Sequence, residues 1–185
     1  MLSTGLATPL GVLTVVADDD GTVLAAGFRP LGEVVAQLSM ADAGGHLEPG
    51  HLSHVAAAVE AWVGGAPAAL SEVPVRLSGG PFTTHVWETL RTVPAGEVVS
   101  YGELAQMAGS PRAMRAVGTA CARNAIALFV PCHRVIAAGG RLGSYGFGGP
   151  GIKAALLEHE GMRLSAGPVS EATRVGGPVD SASTW

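Results

Sequence analysis

The sequence has 185 residues, 48% of them hydrophobic and 14% charged, and its formal net charge is −4. A chain of this length buries about 70% of the surface that its unfolded form would expose, so it needs no disulfide or metal scaffold and is too apolar for disorder. It has no stretch near the ~20 uncharged apolar residues of a membrane span, no signal-peptide pattern at its start and only two cysteines, so we expect a cytoplasmic protein without a membrane partner.

The charge is unevenly distributed along the chain. Residues 1–80 carry a net charge of −6 and residues 81–165 a net charge of +3, with −1 in the remainder. An acidic total argues against nucleic-acid binding, whereas asymmetry between two halves points to a polyanion-binding half. A net of +3 also arises by chance, so charge alone leaves both interpretations open.

Residues 1–80 predict a small α/β module with an antiparallel sheet. The turn Asp18-Asp19-Asp20-Gly21 lies between two β-prone segments, and its glycine accommodates a positive φ. Apolar spacing distinguishes the helices from the strands. The predicted elements, in chain order, cover residues 12–16 (strand), 22–28 (strand), 31–40 (helix), 51–63 (helix) and 72–77 (strand).

Residues 81–165 predict a mainly helical unit. Ser100 is a good N-cap, and Glu103 three residues later forms a capping box with it. Ser110-Pro111 begins the next helix, with proline at the first helical position. Two short helices joined at Gly109 have the shape of a helix-turn-helix, a weak pattern on its own. The predicted helices cover residues 82–93, 100–109, 110–123 and 151–161.

The chain divides at Gly79-Gly80-Pro81. We therefore expect an N-terminal α/β domain over residues 1–80 and a second domain over residues 81–165. Residues 166–185 are rich in Gly, Ser, Pro and Ala without periodicity, and we expect a disordered tail.

The most unusual local pattern is Val130-Pro131-Cys132-His133-Arg134-Val135. A free thiol titrates near ~8.5, so a neighbouring base or cation is needed to form the nucleophilic thiolate at neutral pH. His133 and Arg134 are suitable types, although neighbours on a strand point to opposite faces, which favours a bridging water over direct contact. The alternative is a buried cysteine packed as a small hydrophobe, with both cations at the surface. These residues alone leave both open.

No metal or cofactor is expected. Cys121 and Cys132 are eleven residues apart and lack a CxxC or paired-histidine spacing. His51 and His54 lie three apart on an apolar helix and are more often packed or solvent-facing than ligands. The glycine-rich loop at 139–149 lacks the phosphate-binding fingerprints.

Several short motifs occur in one order with characteristic spacing: Ser100-Tyr101-Gly102-Glu103, Arg115-Ala116-Val117-Gly118, Arg123-Asn124, the Cys132 motif above, and Leu156-Leu157-Glu158-His159-Glu160-Gly161. Together they resemble the O6-alkylguanine-DNA alkyltransferases, or methylated-DNA–protein-cysteine S-methyltransferases, strongly over residues 81–164 and more loosely before them. The resemblance implies an α/β (α+β) fold, with a small N-terminal RNase H-like β-sheet/helix domain followed by a mainly helical domain that carries a helix-turn-helix and the active site.

The implied activity is direct-reversal DNA repair. Cys132 would accept the alkyl group of O6-alkylguanine, and also of O4-alkylthymine, in an irreversible single turnover without a cofactor. His133 would act through a water as the base, and Glu160 would orient it. Tyr101 would hydrogen-bond the purine so that guanine leaves as a neutral base.

The implied partner is double-stranded DNA, bound by a monomer through the minor groove, with the lesion flipped out of the stack. Arg115 would fill the vacated position. The DNA-binding residues that the resemblance implies are Ser100, Met114, Arg115, Ala116 and Gly118. Those implied for the substrate pocket are Asn124, Pro131, Val135, Tyr145, which would stack on the base, and Gly146.

The sequence departs from the family pattern in several places. Met114 stands where a small residue is usual, Ala125 and Ala127 replace prolines, and the loop after Tyr145 is one residue longer. Two rival functions are a non-catalytic lesion-binding protein that recruits other repair factors, whose members lack a cysteine at position 132, and a conventional thiol hydrolase with an oxyanion hole.

Overall fold

The computed structural model describes residues 1–178. Its N-terminal part is a four-stranded sheet, and the predicted α/β fold is confirmed. The strands are β1 (Leu2–Thr8), β2 (Gly11–Ala17), β3 (Val23–Gly27) and β4 (Glu48–Pro49), in the order β3-β2-β1-β4. β1 to β3 pair antiparallel, whereas β4 runs parallel to β1.

Helices cover both faces of the sheet, which explains why β2 and β3 are continuous apolar runs. Helix α2 (Ser53–Val63) contributes Val55, Val59 and Trp62 to the same core cluster as Leu13 and Val15 of β2. On the other face, the short helix α1 (Leu31–Val35) places its one buried side chain against β2 and β3.

Two predictions in this part are wrong. Residues 72–77 do not form a strand: a 3-10 turn ends at Glu72, and only Val75 bridges to Val23. The proline at position 74 has no N–H to donate, so the segment contributes one bridge rather than a ladder. The helix predicted over 31–40 ends at Val35 and continues as turns.

The second part contains four α-helices, as predicted. These are α3 (Pro81–Arg91), α4 (Tyr101–Met107), α5 (Met114–Ala122) and α6 (Gly149–His159). The capping box is present, with the Glu103 N–H donating to the Ser100 hydroxyl at 3.2 Å. Pro111 is not the first residue of α5, because residues 110–113 form a turn that brings the two helices together.

The two parts meet around the segment that follows α5. The N–H of Ala26 at the edge of β3 donates to the Ala125 carbonyl, and the N–H of Ala127 returns a bond to Ala26. Two short strands, β5 (Val99–Ser100) and β6 (Val135–Ile136), pair in parallel. The residues between Asn124 and Val135 are therefore held from both sides.

The expected disorder of the tail is wrong for residues 166–178. Strands β7 (Met162–Leu164) and β8 (Val175–Pro178) pair antiparallel. The Leu142 and Gly143 N–H groups donate to the carbonyls of Thr173 and Glu171 at 2.7 and 2.9 Å. Pairing of backbone groups requires no apolar periodicity, so the composition of this segment wrongly predicted disorder. Residues 179–185 lie outside the described part of the chain. None of the helices described is long and apolar enough to cross a membrane.

Candidate active site

Asn124 and Cys132 form the centre of the site. The Ile126 N–H donates to Asn124 Oδ1 at 2.9 Å, which fixes the orientation of the amide. Its Nδ2 therefore points to the Val130 carbonyl at 2.9 Å and to the Cys132 sulfur at 3.1 Å. The buried Asn124 side chain thus links the end of α5 to the cysteine.

Cys132 lies in a 3-10 turn, Cys132–Arg134, rather than on a strand. In a turn, successive side chains do not alternate between two faces, and Cys132, His133 and Arg134 are all buried. The alternative in which both cations lie at the surface is therefore wrong. Burial raises the pKa of the Cys132 thiol, and the Asn124 amide and the positive charge of Lys153 oppose that rise.

His133, Arg134 and Glu160 form a buried charged network. The Arg134 guanidinium donates two bonds to the Glu160 carboxylate, at 2.7 and 2.8 Å, and a third to the Val93 carbonyl at 2.6 Å. His133 Nε2 lies 3.1 Å from Glu160 Oε1. Glu160 is at the C-terminal end of α6, so the fold brings it to the histidine from 27 residues away.

This network determines the protonation states. Burial alone would raise the pKa of Glu160, but His133 and the Arg134 guanidinium outweigh it and hold that pKa well below its ordinary value. Burial lowers the pKa of His133 by more than Glu160 raises it, so the imidazole is neutral at pH 7. Because a carboxylate can only accept, Nε2 carries the proton. His133 Nδ1 is then an unprotonated acceptor, and it has no hydrogen-bond partner among residues 1–178.

A small pocket of about 90 Å³ opens onto Cys132. The residues that line it come from α4, α5, the cysteine turn and the following loop: Tyr101, Gly118, Cys121, Ala122, Cys132, Ser144, Tyr145, Gly146 and Phe147. A methyl group on Gly118 would lie 4.0 Å from the Tyr101 ring, so this glycine packs directly beside it. Burial raises the pKa of the Tyr101 hydroxyl, which therefore stays protonated and can donate.

The predicted pocket residues lie at different places around the cysteine. Tyr145 and Gly146 line the pocket, and the Tyr145 ring is buried, tilted by 60° against Phe147. Pro131 instead faces a separate cavity of about 340 Å³ on the other side of the turn. Val135 is fully buried in β6, and its carbonyl accepts from Lys153.

The predicted DNA-binding residues lie at the start of α4 and along α5. Met114, Arg115 and Ala116 are exposed on the first turn of α5, and Met114 is 52% exposed. Ser100 caps α4, and its hydroxyl is engaged with Glu103. The indole N–H of Trp87 on α3 donates to the Ala120 carbonyl at 2.9 Å and so fixes α5 against α3.

Three residues that contact the site residues or the pocket loop were not assigned to the site from the sequence. Arg134 holds Glu160, as described above. Arg29, from the N-terminal part, donates to the Gly146 carbonyl and lies over the Phe147 ring, 5.7 Å from its centroid. Lys153 lies buried beneath the pocket loop. For Lys153, the sequence offered one indication of a special role, namely a single lysine within a largely apolar helix.

Comparison with known proteins identifies relatives over most of the chain. Residues 81–162 match the family model for the 6-O-methylguanine DNA methyltransferase DNA binding domain. A methylated-DNA–protein-cysteine methyltransferase of Shigella flexneri is 37% identical over 171 residues, which cover 89% of this chain and 98% of the relative. One from Mycobacterium tuberculosis is 52% identical over 95 residues, 51% of this chain and 57% of the relative.

Solved structures agree with these relatives. The crystal structure of Mycobacterium tuberculosis OGT in complex with DNA matches with a TM-score of 0.70 and 34% identity, over 86% of this chain and 93% of that one. The O6-methylguanine-DNA methyltransferase of Pyrococcus kodakaraensis matches with a TM-score of 0.63 and 27% identity, over 86% and 98% of the two chains.

Proposed function

The chain belongs to the methylated-DNA–protein-cysteine methyltransferase family, and from that premise we propose that Cys132 accepts the alkyl group of O6-alkylguanine. The family's activity is transfer of an alkyl group from DNA to a cysteine of the protein, which repairs the base directly. We choose Cys132 because of its position. Its sulfur accepts a hydrogen bond from Asn124, it lines the pocket, and the next residue, His133, is paired with Glu160.

Cys121 is the one other cysteine, and it also lines the pocket. Burial raises the pKa of both thiols, so these shifts do not distinguish the two cysteines. Within residues 1–178, the side-chain amide of Asn124 donates to the Cys132 sulfur, and the Cys121 sulfur has no such side-chain donor. The Asn124 hydrogen bond and the neighbouring His133 therefore favour Cys132 as the acceptor.

The proposed reaction proceeds by in-line displacement. The Cys132 proton passes through a water to His133 Nδ1, and the Glu160 carboxylate, itself held in place by Arg134, stabilises the resulting imidazolium. A sulfur–carbon bond forms as the carbon–O6 bond breaks, and its electron pair remains on guanine. Tyr101 gives its hydroxyl proton to the purine ring, so that guanine leaves as a neutral base, and the proton held by His133 returns through solvent to the tyrosine oxygen. Because a thioether is a poor leaving group, the product is permanent and each molecule acts once.

Access to O6 requires the nucleotide to leave the duplex. Flipping costs a few kcal/mol, and less for a damaged, poorly paired base. We assign the wedge to Arg115, exposed on α5, with small residues Ala116 and Gly118 allowing close approach in the minor groove. Tyr145 would then stack on the extruded base. An O4-alkylthymine that leaves the duplex in the same way would also reach Cys132.

The remaining parts of the proposal concern organisation. Residues 81–165 carry the reaction, while residues 1–80 support them through the Ala26 bonds and the Arg29 contact. Both cysteines are free, which fits a reducing cytoplasm. The protein would act as a monomer, because the helix-turn-helix and the cysteine belong to one chain.

The test uses a DNA duplex that carries O6-methylguanine with a label in its methyl group. We expect one label per protein molecule, located on the Cys132 peptide, and we expect it in Cys121→Ser as well. Cys132→Ala should bind the duplex without accepting label. Label on Cys132→Ala would refute the assignment. Binding without transfer by the unaltered protein would favour a lesion-binding protein, and turnover of an acyl ester would favour a thiol hydrolase.

A further inference from the structure

Lys153 is the single lysine of the sequence, and it is 1% exposed. Burying an ammonium group is costly unless its charge and donors are satisfied. No carboxylate within residues 1–178 forms an ion pair with it. Its partners are three backbone carbonyls: Val135 at 2.6 Å, Leu142 at 2.7 Å and Ser144 at 3.5 Å.

These carbonyls belong to the two segments that enclose the pocket. Val135 follows the Cys132–Arg134 turn directly, whereas Leu142 and Ser144 precede Tyr145 on the loop. Lys153 projects from α6 and binds both segments at once. An apolar residue at this position would leave the carbonyls without a donor, and the spacing between the cysteine and Tyr145 would depend on weaker contacts.

The charge of Lys153 also acts on the cysteine. The groups that face the ammonium electrostatically are Cys132, Cys121 and the carboxylate of Glu171 on the C-terminal segment. Burial lowers the pKa of Lys153 to about 8, so the group is still mainly protonated at pH 7. Arg134 and Glu160 largely neutralise each other in their bidentate pair. Lys153 is therefore the buried positive charge that remains to balance a thiolate.

We propose that Lys153 is a positioning residue for the alkyl transfer: it ties the cysteine turn to the Tyr145 loop and stabilises the Cys132 thiolate as it forms. The proposal rests on the function proposed above. In the reaction, the thiol proton still moves to His133, and Lys153 neither gains nor loses a proton. Its contribution is a fixed charge and three hydrogen bonds, already in place before the substrate enters.

Lys153→Met and Lys153→Arg separate the two contributions. Methionine keeps the length of the stem but removes the charge and all donors, while arginine keeps the charge and changes the donor geometry. Arg163→Met, an exposed cation on β7, is the matched control. For each variant, the thiol pKa follows from the pH dependence of Cys132 alkylation by iodoacetamide, measured on the Cys132 peptide. Single-turnover methyl transfer is then measured at pH 7 and pH 9.

We expect Lys153→Met to raise the thiol pKa by at least about one unit, which leaves about tenfold less thiolate at neutral pH. Transfer should slow at least about tenfold at pH 7 and recover in part at pH 9, a pattern that a purely structural defect would not produce. Lys153→Arg should keep the thiol pKa near that of the unaltered protein but slow transfer at both pH values. An unchanged thiol pKa and transfer rate in Lys153→Met would overturn the proposal.

A measurement on the unaltered protein covers the case in which Lys153→Met does not fold. Because the sequence has one lysine, ¹³C-lysine labelling gives one side-chain signal without assignment. We expect its titration midpoint below the ordinary value and slow exchange of its ammonium protons. An ordinary midpoint with fast exchange would refute the buried clamp. If the unaltered protein transfers no methyl group, the proposed function fails, whereas the iodoacetamide and NMR results still decide the role of Lys153.

Discussion

Replacing Glu160 with Gln tests the buried network at the position where stability and reactivity meet. The glutamine is close to isosteric, but it removes the charge that Arg134 binds at 2.7 and 2.8 Å and that His133 meets at 3.1 Å. The side chains of His133 and Glu160 are fully buried, and that of Arg134 is 8% exposed. Breaking one member of a buried pair in this way costs about 3–5 kcal/mol, because it leaves the other charge uncompensated.

That cost predicts a large thermal effect. For a chain of this size, each kcal/mol lowers the melting temperature by about 2–4 °C, so we expect Glu160→Gln to melt about 6–20 °C lower at pH 7. Glu158→Gln is the matched control, since Glu158 lies two residues earlier on the same helix and is exposed. Differential scanning calorimetry on both variants measures the difference.

The pH dependence gives the reasoning a second check. The pKa of Glu160 is lower in the folded protein than in the unfolded chain, so its carboxylate adds stability above the unfolded pKa of about 4.3. That stability is lost as the pH falls through the folded pKa. The gap between the unaltered protein and Glu160→Gln should thus be widest at pH 6–8 and shrink below about pH 5. Equal melting temperatures for the two glutamine variants, or a gap that does not change with pH, would refute the assignment of the charge.

Three further predictions concern the cysteine, the DNA and the C-terminal hairpin. Asn124→Asp keeps the acceptor for the Ile126 N–H but turns a carboxylate oxygen toward the Cys132 sulfur. The thiol pKa should therefore rise, and alkylation by iodoacetamide at pH 7 should slow at least about tenfold. An unaltered pH profile of alkylation would contradict this. Arg115→Ala should reduce the fluorescence increase of 2-aminopurine placed beside the lesion, whereas Arg163→Ala should not, and equal signals from the two variants would exclude a wedge at Arg115. Ending the chain after Leu164 removes the acceptors of the Leu142 and Gly143 N–H groups, so the amides of those two residues should exchange faster with solvent; unchanged exchange would show that other contacts hold the loop.

Much of the secondary structure was predictable because it depends on near neighbours. The capping box of Ser100 and Glu103 involves residues three apart, and its two hydrogen bonds are present. Helix α3 has its buried side chains, Val86, Trp87 and Leu90, on one face. Motif order, which is also a property of the chain alone, indicated the family and named Cys132 as the candidate nucleophile. The roles assigned to the site residues remain predictions for the experiments above.

Tertiary structure decided what depends on distant partners. Whether Arg134 lies in the interior or at the surface depends on Glu160, 26 residues later, whose carboxylate compensates the burial of the guanidinium. The segment 166–178 is ordered by backbone bonds to residues 142–143 and to β7, and backbone bonding leaves no side-chain pattern to read. Lys153 is the clearest case. Its place in an apolar helix was visible in the sequence, but only the fold brings three carbonyls to its ammonium group and directs its charge toward Cys132.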